Sequence, residues 1–177
     1  PSVGATENII MAAVKAKGKT VIENAAMEPE ILDLSDSLNK MGAKIIITNK
    51  GIIKITGVKN LNKANHKIMS DRIVAGTFVI AAVMLNKKFE IKEVETKHNK
   101  ALISALQDMG ANIKLKENSF KILPTNKLYG IKIQTSPYPG FPTDLQAQMM
   151  ALMSLASSNS QIKENIFENR FMHVPEL

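Results

Sequence analysis

Cysteine and tryptophan are both absent from this chain of 177 residues, and aromatic residues make up only 5% of it. Without cysteine there can be no disulfide, thiolate metal site or cysteine nucleophile. The scarcity of aromatic side chains disfavours a platform on which nucleic-acid bases stack. No apolar stretch approaches the roughly 18 uncharged residues that a membrane-spanning helix requires. We therefore expect neither nucleic acid nor a membrane among the partners.

Acidic residues are fewer than basic ones, with 16 Asp and Glu against 23 Lys and Arg. The net charge is +7, and only Arg72 and Arg170 of the 23 basic residues are arginines. The lysines are scattered along the chain and form no basic tail. Because a positive surface attracts phosphate-bearing molecules, two interpretations stay open, a solvated lysine surface and a site for a small anionic ligand. With 45% hydrophobic and 22% charged residues, the composition excludes disorder as the main state.

What the chain does contain is an internal repeat. Ala12-Ala13-Val14 recurs as Ala81-Ala82-Val83, and Met41-Gly42-Ala43 recurs as Met109-Gly110-Ala111. A third copy begins around Ala151. The period of about 70 residues is longer than that of ordinary solenoid repeats, so we expect a repeated α/β unit.

Each copy begins with an apolar helix, which a strand and an amphipathic helix follow. The apolar helices are predicted over Thr6–Lys17, Arg72–Leu85 and Asp144–Ser157. Because these helices are apolar on nearly every side, we expect them to be buried on every side. The amphipathic helices are predicted to end at Gly42 and Gly110, where glycine is the favoured residue after a helix.

Strands complete the unit, which reads βαβαββ. Short apolar or alternating segments predict strands at Thr20–Asn24, Lys44–Thr48, Ile52–Gly57, Phe89–Val94, Asn112–Lys116, Phe120–Leu123 and Gln161–Ile166. Leading strands are predicted at Lys67–Ser70 and Ile131–Gln134, and Asn49–Gly51 is predicted to form a hairpin turn. The first copy lacks a leading strand and the third is incomplete, so we expect a piece of a longer protein.

Polar segments stand in front of the apolar helices, at Ser2–Thr6, Ser70–Asp71 and Pro142–Asp144. The free N–H groups of a helix start can hold an anion such as phosphate. Ser, Thr and Asp are also ordinary helix caps. Both interpretations stay open at each segment.

The segment Pro137–Asp144 is richer in turn residues than any other part of the chain, with three prolines and a glycine. Such a segment fixes an irregular loop directly before the third apolar helix. Asp144 is then either a capping residue or a carboxylate general base. Arg170, between Phe167 and Phe171, is expected in an ordered turn with an ion pair. The three histidines lack the spacing of metal ligands, so we predict no metal site.

Ordered blocks of sequence resemble the UDP-N-acetylglucosamine enolpyruvyl transferases. The blocks are 2–6, 23–26, 28–30, 41–43, 71–73 with 76–77, 141–144 with 146–148, and 167–174. They keep the order and spacing of that family along the whole chain. The family's own chain is longer, so this sequence resembles its middle.

The resemblance implies an α/β fold, the inside-out α/β barrel of enolpyruvyl transferases, which is present here as an incomplete fragment. In that family two domains, each of three βαβαββ units, hold the substrate between them. Residues 1–69 would be the last unit of one domain, without its leading strand. Residues 70–177 would be the first unit and part of the second unit of the other domain.

The reaction implied by the resemblance moves an enolpyruvyl group from phosphoenolpyruvate to the 3-hydroxyl of UDP-N-acetylglucosamine and releases phosphate. It is the first committed step of peptidoglycan synthesis in the bacterial cytoplasm, and so serves cell wall biogenesis, cell shape and cell division. No cofactor is implied. The family's general acid, usually a cysteine, and its phosphoenolpyruvate-binding lysine and arginines lie outside the matched blocks. We therefore expect the chain alone to be inactive.

Site residues follow from the same resemblance. The segment that contacts the nucleotide diphosphate corresponds to Pro1, Ser2 and Val3, with Gly4 adjacent. Asp144 corresponds to the carboxylate that contacts the sugar and takes the hydroxyl proton, and Ile166 to a backbone contact with the sugar nucleotide. Glu28, Asp71 and Arg170 are further candidates for the substrate site. Glu168, Asn169 and Arg170 correspond to a motif of the family, but the resemblance assigns no separate role to each of them.

Two alternative functions stay open. The enolpyruvyl transferase of the shikimate pathway shares the fold and the type of reaction, although residues 141–148 and 167–174 match it poorly. A basic α/β module could instead bind RNA without catalysis. The oligomeric state is open as well, and an apolar face left by the incomplete repeat would favour association.

Overall fold

The computed structural model describes residues 1–48 and 51–177. They form two compact units, Pro1–Met69 and Ser70–Leu177. The helices are α1 (Val3–Ala13), α2 (Pro29–Lys40), α3 (Arg72–Met84), α4 (Lys100–Asp108) and α5 (Gln146–Met153). The strands are β1 (Lys19–Ile22), β2 (Lys44–Thr48), β3 (Ile52–Thr56), β4 (Phe89–Lys92), β5 (Asn112–Lys116), β6 (Ser119–Leu123), β7 (Lys132–Gln134) and β8 (Gln161–Lys163). That the two units belong to two domains of a longer protein stays a prediction.

The first unit is a three-stranded antiparallel sheet in the order β1-β3-β2, covered by α1 and α2. Its central strand alternates as the sequence predicts, because Ile53 and Ile55 are buried while Lys54 between them is exposed. Ile10 of α1 and Ile31 of α2 are fully buried in the same apolar cluster. The core of this unit is therefore built almost wholly from isoleucine and small residues.

The second unit repeats this arrangement and extends it. Its antiparallel sheet has the order β4-β6-β5, and β7 pairs with β8 in a separate parallel ladder. A parallel pair needs a long crossover connection, which α5 supplies between β7 and β8. The fully buried side chains of this core include Phe120, Leu102, Leu106, Met109, Ile122, Leu145 and Met149. The predicted repeat of α/β units is confirmed by the matching strand orders.

The repeated Met-Gly-Ala sequence ends both amphipathic helices in the same way. Gly42 and Gly110 have φ angles of 98° and 94°, which glycine adopts without steric cost. In the first unit Gly42 N–H donates to Asn39 O at 2.9 Å and Ala43 N–H donates to Leu38 O at 3.0 Å. The second unit repeats both bonds one period later. These paired bonds form a Schellman motif, so the predicted glycine caps are confirmed.

Several element ends differ from the sequence prediction. The helix predicted from Thr6 begins at Val3, because the Ser2 side chain caps it. The helix predicted over Asp144–Ser157 is a 3₁₀ turn at Thr143–Leu145 followed by α5. The strand predicted to reach Ile166 ends at Lys163. The N–H groups of residues 165–167 donate to the side chains of Thr135 and Glu164 instead of a neighbouring strand.

The leading strand predicted at Lys67–Ser70 is wrong, because no strand is formed there. A strand needs a ladder partner, and Ser70 bonds to the side chain of Glu95 instead. The corresponding prediction in the next copy is confirmed by β7. Of the predicted turn Asn49–Gly51, the first two residues lie outside the described part of the chain.

The expectation that the apolar helices are buried on every side is also wrong. On α3, Val74 and Phe78 are 52% and 56% exposed, although Val79 and Ile80 of the same helix are fully buried. On α1, Ile9 and Met11 are exposed as well. Both α1 and α3 thus pack one face on their own unit and leave an apolar strip exposed. Across residues 1–48 and 51–177, no helix is long and apolar enough to cross a lipid bilayer.

Candidate functional site

The start of α1 carries the predicted diphosphate-binding residues. Ser2 Oγ accepts a hydrogen bond from Ala5 N–H at 3.3 Å, so Ser2 is the helix cap. The first N–H groups of any α-helix have no partner within the helix, and α1 presents them beside the exposed Ser2 and Gly4. A Cβ at Gly4 would meet nothing within 4 Å. The helix start is therefore open to an approaching anion.

The loop that leads into α2 is tied to the start of α1. Thr6 Oγ1 donates to Ser2 O at 2.7 Å and accepts from Ala26 N–H at 3.1 Å. Thr6 and Ala26 are both buried, so this bond is shielded from water. Glu28 follows two residues later, half-buried at the start of α2, and its side chain does not cap the helix.

In the second unit, Asp71 is the cap of α3. Its Oδ1 accepts from Ile73 N–H at 2.8 Å and from Val74 N–H at 3.0 Å. The next residue, Arg72, is buried, and its guanidinium lies 5.6 Å from the centre of the Tyr138 ring. For Asp71 the structure therefore favours the capping interpretation.

Asp144 and Arg170 are brought together by the fold, although 26 residues separate them. Arg170 Nη2 donates to Asp144 Oδ1 at 3.0 Å, and the Asp144 and Arg170 side chains are 54% and 37% exposed. The guanidinium also lies 5.1 Å from the centre of the Phe167 ring, within the range of a cation–π contact. Asp144 caps no helix, because its carboxylate faces Arg170 and solvent. The ion pair predicted for Arg170 is present, and Asp144 is its partner.

A glutamate that the sequence did not single out, Glu164, is connected to this pair through Thr143. Glu164 Oε1 accepts from Thr135 Oγ1 at 2.7 Å, from Ile166 N–H at 2.8 Å and from Phe167 N–H at 3.2 Å. Glu164 Oε2 accepts from Thr143 Oγ1 at 2.8 Å. These bonds take the N–H groups that would otherwise have continued strand β8. They also hold the predicted sugar-contact residue Ile166 by its backbone.

The two threonine hydroxyls of this network each donate once and accept once. Thr143 Oγ1 donates to Glu164 and accepts from Arg170 Nη1 at 2.9 Å. Thr135, which is fully buried, donates to Glu164 and accepts from Asn165 N–H at 2.9 Å. A hydroxyl has one donor and two acceptor positions, so both threonines are well satisfied. A continuous chain of hydrogen bonds thus runs from buried Thr135 to exposed Asp144.

The charge on Glu164 is stabilised by these bonds. Partial burial raises the pKa of Glu164, but the hydrogen bonds from Thr135, Ile166 N–H, Thr143 and Phe167 N–H outweigh it. The net result is a pKa below the usual glutamate value. Glu164 is therefore an anion at neutral pH, and all its neighbours in the network are donors.

A related pairing of a hydroxyl with a glutamate occurs one repeat earlier. Ser70 N–H donates to Glu95 Oε2 at 3.2 Å, and the Ser70 hydroxyl donates to the same oxygen. The hydrogen bond from the Ser70 side chain lowers the pKa of Glu95. Ser70 precedes Asp71 just as Thr143 precedes Asp144, and Glu95 lies 69 positions before Glu164. We call the pairs Ser70–Glu95 and Thr143–Glu164 hydroxyl–carboxylate clasps.

The internal repeat is the signal that could have revealed Glu164. Ala26, Glu95 and Glu164 are spaced by 69 residues, and each bonds to a hydroxyl-bearing residue at the start of the preceding apolar helix. The partners are Thr6, Ser70 and Thr143, of which the sequence analysis named only the segments that contain them. Side-chain pairing at a helix start is thus a constant feature of the repeat, while its chemistry varies.

Other parts of the described chain do not add to this cluster. A cavity of about 630 Å³, whose lining runs from Met150 to Leu177, contains none of the predicted site residues. In residues 1–48 and 51–177, no three His, Cys, Asp or Glu side chains are grouped so that they could hold a metal ion. The polar cluster that contains the predicted site residues Asp144 and Arg170 is built from Thr135, Thr143, Asp144, Glu164 and Arg170.

Comparison with known proteins gives consistent results. The sequence family described as EPSP synthase (3-phosphoshikimate 1-carboxyvinyltransferase) matches residues 1–177. The chain is 52% identical over 176 residues to UDP-N-acetylglucosamine 1-carboxyvinyltransferase of Geotalea uraniireducens (strain Rf4). It is 53% identical over 179 residues to UDP-N-acetylglucosamine 1-carboxyvinyltransferase 2 of Carboxydothermus hydrogenoformans. These alignments take in 99% and 100% of this chain but only 42% and 43% of the relatives.

A solved structure is similar in fold. The enolpyruvyl transferase NikO from Streptomyces tendae superimposes with a TM-score of 0.89, over 99% of this chain and 42% of that one. The sequence identity is 21%, so the likeness concerns the fold alone. The enolpyruvyl transferase fold predicted from the sequence is confirmed. The chain spans less than half the length of both the curated relatives and this structure.

Proposed function

We propose, since the chain belongs to the EPSP synthase (3-phosphoshikimate 1-carboxyvinyltransferase) family, that it is part of an enzyme that transfers an enolpyruvyl group. The acceptor in this proposal is the 3-hydroxyl of UDP-N-acetylglucosamine, and the donor is phosphoenolpyruvate. The observation that carries the choice of acceptor is the 52% identity, over 99% of the chain, to a relative named UDP-N-acetylglucosamine 1-carboxyvinyltransferase. The product would enter peptidoglycan synthesis in the bacterial cytoplasm and so serve cell wall biogenesis, cell shape and division.

The proposed base is Asp144. Arg170 donates to Oδ1 at 3.0 Å and thereby restrains that oxygen of the carboxylate. The hydroxyl proton would then go to Oδ2 while the hydroxyl oxygen bonds to C2 of phosphoenolpyruvate. A general acid outside these 177 residues would protonate C3 in the addition step. In the elimination that follows, C3 would lose a proton, the double bond would re-form and phosphate would leave C2. Asp144 is exposed, as a group must be if it is to meet a bound sugar.

The sugar nucleotide would be held by backbone groups. Ile166 N–H already donates to Glu164 at 2.8 Å. The backbone group of Ile166 proposed to contact the ligand is therefore its carbonyl oxygen, which would accept a hydrogen bond from the ligand. At the start of α1, the exposed N–H groups near Ser2 and Gly4 suit the diphosphate, because a helix start attracts anions. Pro1, Ser2 and Val3 are therefore proposed as diphosphate contacts, with Gly4 adjacent to them.

The acceptor is tested by measuring phosphate release from phosphoenolpyruvate in the full-length protein. We expect release with UDP-N-acetylglucosamine and none with shikimate 3-phosphate, which is the acceptor implied by the family's own description. The opposite pattern would contradict the proposed acceptor and favour the shikimate-pathway reaction. The 177-residue chain by itself is expected to release no phosphate above background.

Binding can be tested on the chain alone. In a two-dimensional amide NMR titration with UDP-N-acetylglucosamine, we expect shifts confined to the backbone around Ser2–Gly4, Asp144 and Ile166. Uridine diphosphate without the sugar should move the first group and leave the other two unchanged. Shifts spread over the lysine surface instead would contradict these site assignments and indicate nonspecific attraction of the phosphates.

A further inference from the structure

Glu164 contacts two different parts of the candidate site with its two carboxylate oxygens. Oε1 bonds the N–H groups of Ile166 and Phe167, and Oε2 bonds the hydroxyl of Thr143. The bonds to Oε1 hold the backbone of Ile166, the residue proposed to contact the sugar. The bond to Oε2 determines where Thr143 presents its remaining lone pairs, and Arg170 donates to one of them.

The dependence of Asp144 on this network is indirect but continuous. Arg170 is anchored by Thr143 through Nη1 and by the ring of Phe167, and it reaches Asp144 through Nη2. Phe167 in turn has its N–H bonded to Glu164 at 3.2 Å. Both supports of the Arg170 side chain therefore lead back to one carboxylate.

We propose that Glu164 is a positioning residue of this enzyme, which sets the base Asp144 and the backbone of Ile166 in one geometry. The proposal rests on the proposed function, because it assigns Asp144 and Ile166 to the sugar. Glu164 itself need not touch substrate. Positioning matters because a displacement of about 1 Å in a catalytic group can cost about a hundredfold in rate.

The repeat supplies an internal comparison for this proposal. The clasp Ser70–Glu95 has the same chemistry as Thr143–Glu164, and it too precedes a carboxylate, Asp71. Asp71, however, caps its own helix with bonds to Ile73 and Val74 N–H. Asp144 makes no such cap and points at Arg170. One clasp thus supports a helix start, and the other supports a carboxylate that is presented to solvent.

The test is steady-state kinetics of the full-length protein with Glu164→Gln. Glutamine retains one carbonyl oxygen for Thr135, Ile166 and Phe167, but its amide nitrogen cannot accept from the Thr143 hydroxyl. We expect kcat/KM for UDP-N-acetylglucosamine to fall by about tenfold to a hundredfold, while KM for phosphoenolpyruvate stays within about twofold. Glu95→Gln is the matched charge control and should leave both parameters near the wild-type values. Both bonds from Ser70 end on Glu95 Oε2, so the single carbonyl oxygen of glutamine can keep them.

A second pair of variants tests the same link without altering charge. Thr143→Val removes the hydroxyl and should reproduce the loss, whereas Thr143→Ser keeps it and should stay within about threefold of wild type. The double variant E164Q/T143V should be no worse than the poorer single variant, because both cut one connection. If E164Q does not fold, the comparison of Thr143→Val with Thr143→Ser decides the question.

The outcomes separate this proposal from the function on which it rests. A wild-type protein that releases no phosphate with UDP-N-acetylglucosamine overturns the proposed function, and the positioning role with it. An active wild type in which E164Q and E95Q lose equal activity overturns the positioning role alone, since a general effect of removing a carboxylate charge then explains the loss. Equal activity of Thr143→Val and Thr143→Ser would overturn it as well.

Discussion

Which role Asp144 can have, helix cap or base, depends on the side chains around it in the fold. From the sequence it was either a helix cap or a base. The structure removes the first interpretation, because the carboxylate accepts from Arg170 at 3.0 Å and no N–H of α5 bonds to it. The role as base stays a proposal. The side chain that bonds to the Asp144 carboxylate belongs to Arg170, which lies 26 positions further along the chain.

We expect Asp144→Asn to lower kcat of the full-length protein by about a hundredfold or more, which is the usual contribution of a general base. Asparagine keeps the size of the side chain and an oxygen for Arg170, so stability should change little. An exposed ion pair contributes only about 0–1 kcal/mol. Asp108→Asn, at the exposed end of α4, is the control and should leave both kcat and the melting temperature unchanged. An unchanged kcat in D144N would show that Asp144 is not the general base.

Glu164 predicts a specific pH dependence of stability. Its pKa is lowered in the folded protein, although partial burial opposes this, because four donors bond the carboxylate. A lowered pKa stabilises the fold above the pKa of the unfolded chain, and the stabilisation is lost as pH falls through the folded-state pKa. We expect wild type to be more stable than Glu164→Gln at pH 7, and the difference to shrink below about pH 4.

The measurement is urea unfolding of both proteins between neutral and acidic pH. The exposed turn residue Glu117 provides the control, since Glu117→Gln should show no comparable change of the difference with pH. A difference between wild type and E164Q that is the same at every pH would mean that the charge of Glu164 contributes nothing to stability.

At the scale of the element, the start of each apolar helix is the recurrent feature. A hydroxyl there pairs with the segment that follows the next strand, through Ala26 N–H in the first copy and through carboxylates in the other two. The bond joins the two ends of a helix–strand connection. It therefore holds the segment after the strand against the first turn of the helix.

Close packing at Gly76 of α3 supports the turn that carries Asp144. A Cβ at Gly76 would lie 2.7 Å from Leu145 Cδ1 and 2.9 Å from Leu102 Cδ2. Leu145 and Leu102 are both fully buried, so neither side chain has room to withdraw. We expect Gly76→Ala to destabilise the second unit by about 1–3 kcal/mol through overpacking, with hydrogen exchange of its core amides as the measurement.

The control for Gly76 is Gly4→Ala, because a Cβ at Gly4 meets nothing within 4 Å. That change should leave amide protection in its unit equal or slightly increased, since alanine favours the helix. Amide shifts of Thr143–Leu145 in G76A should show that the turn moves with Leu145. Unaltered protection and shifts in G76A would mean that the core accommodates the added methyl group without strain.

At the scale of the whole molecule, both units leave apolar surface in contact with water. Phe78 and Val74 of α3 are more than half exposed, at 56% and 52%, and Ile9 and Met11 of α1 are exposed too. Apolar strips of this kind are unusual on an isolated soluble domain and favour association. The sequence predicted association through an apolar face, and this stays a prediction.

We expect the 177-residue chain to self-associate as its concentration is raised, and Phe78→Lys to weaken that association. Removing an exposed aromatic ring from an apolar contact takes away part of the hydrophobic driving force, and a charge opposes its burial. Sedimentation velocity of the two proteins is the measurement. Asn118→Lys, in an exposed turn, adds the same charge as a control. Equal sedimentation of wild type and F78K at all concentrations would show that α3 is not the contact.

The sequence by itself determined the repeat, the order of helices and strands, and the family. These follow from local properties, because alternation in Ile53–Ile55 or a glycine after an amphipathic helix acts over a few residues. The Schellman motifs at Gly42 and Gly110 were predictable for the same reason. The residues that carry the resemblance, Asp144 and Arg170 among them, were also found without the structure.

Only the tertiary structure determined which residues contact each other across long stretches of the chain. The missing strand at Lys67–Ser70, the exposed face of α3 and the role of Glu164 all depend on partners distant in the chain. A strand forms only if another strand pairs with it, and an apolar face is buried only if something covers it. Glu164 was not selected because a single glutamate in a polar segment has no pattern of its own. Its importance comes from four donors that three separate segments bring to one carboxylate.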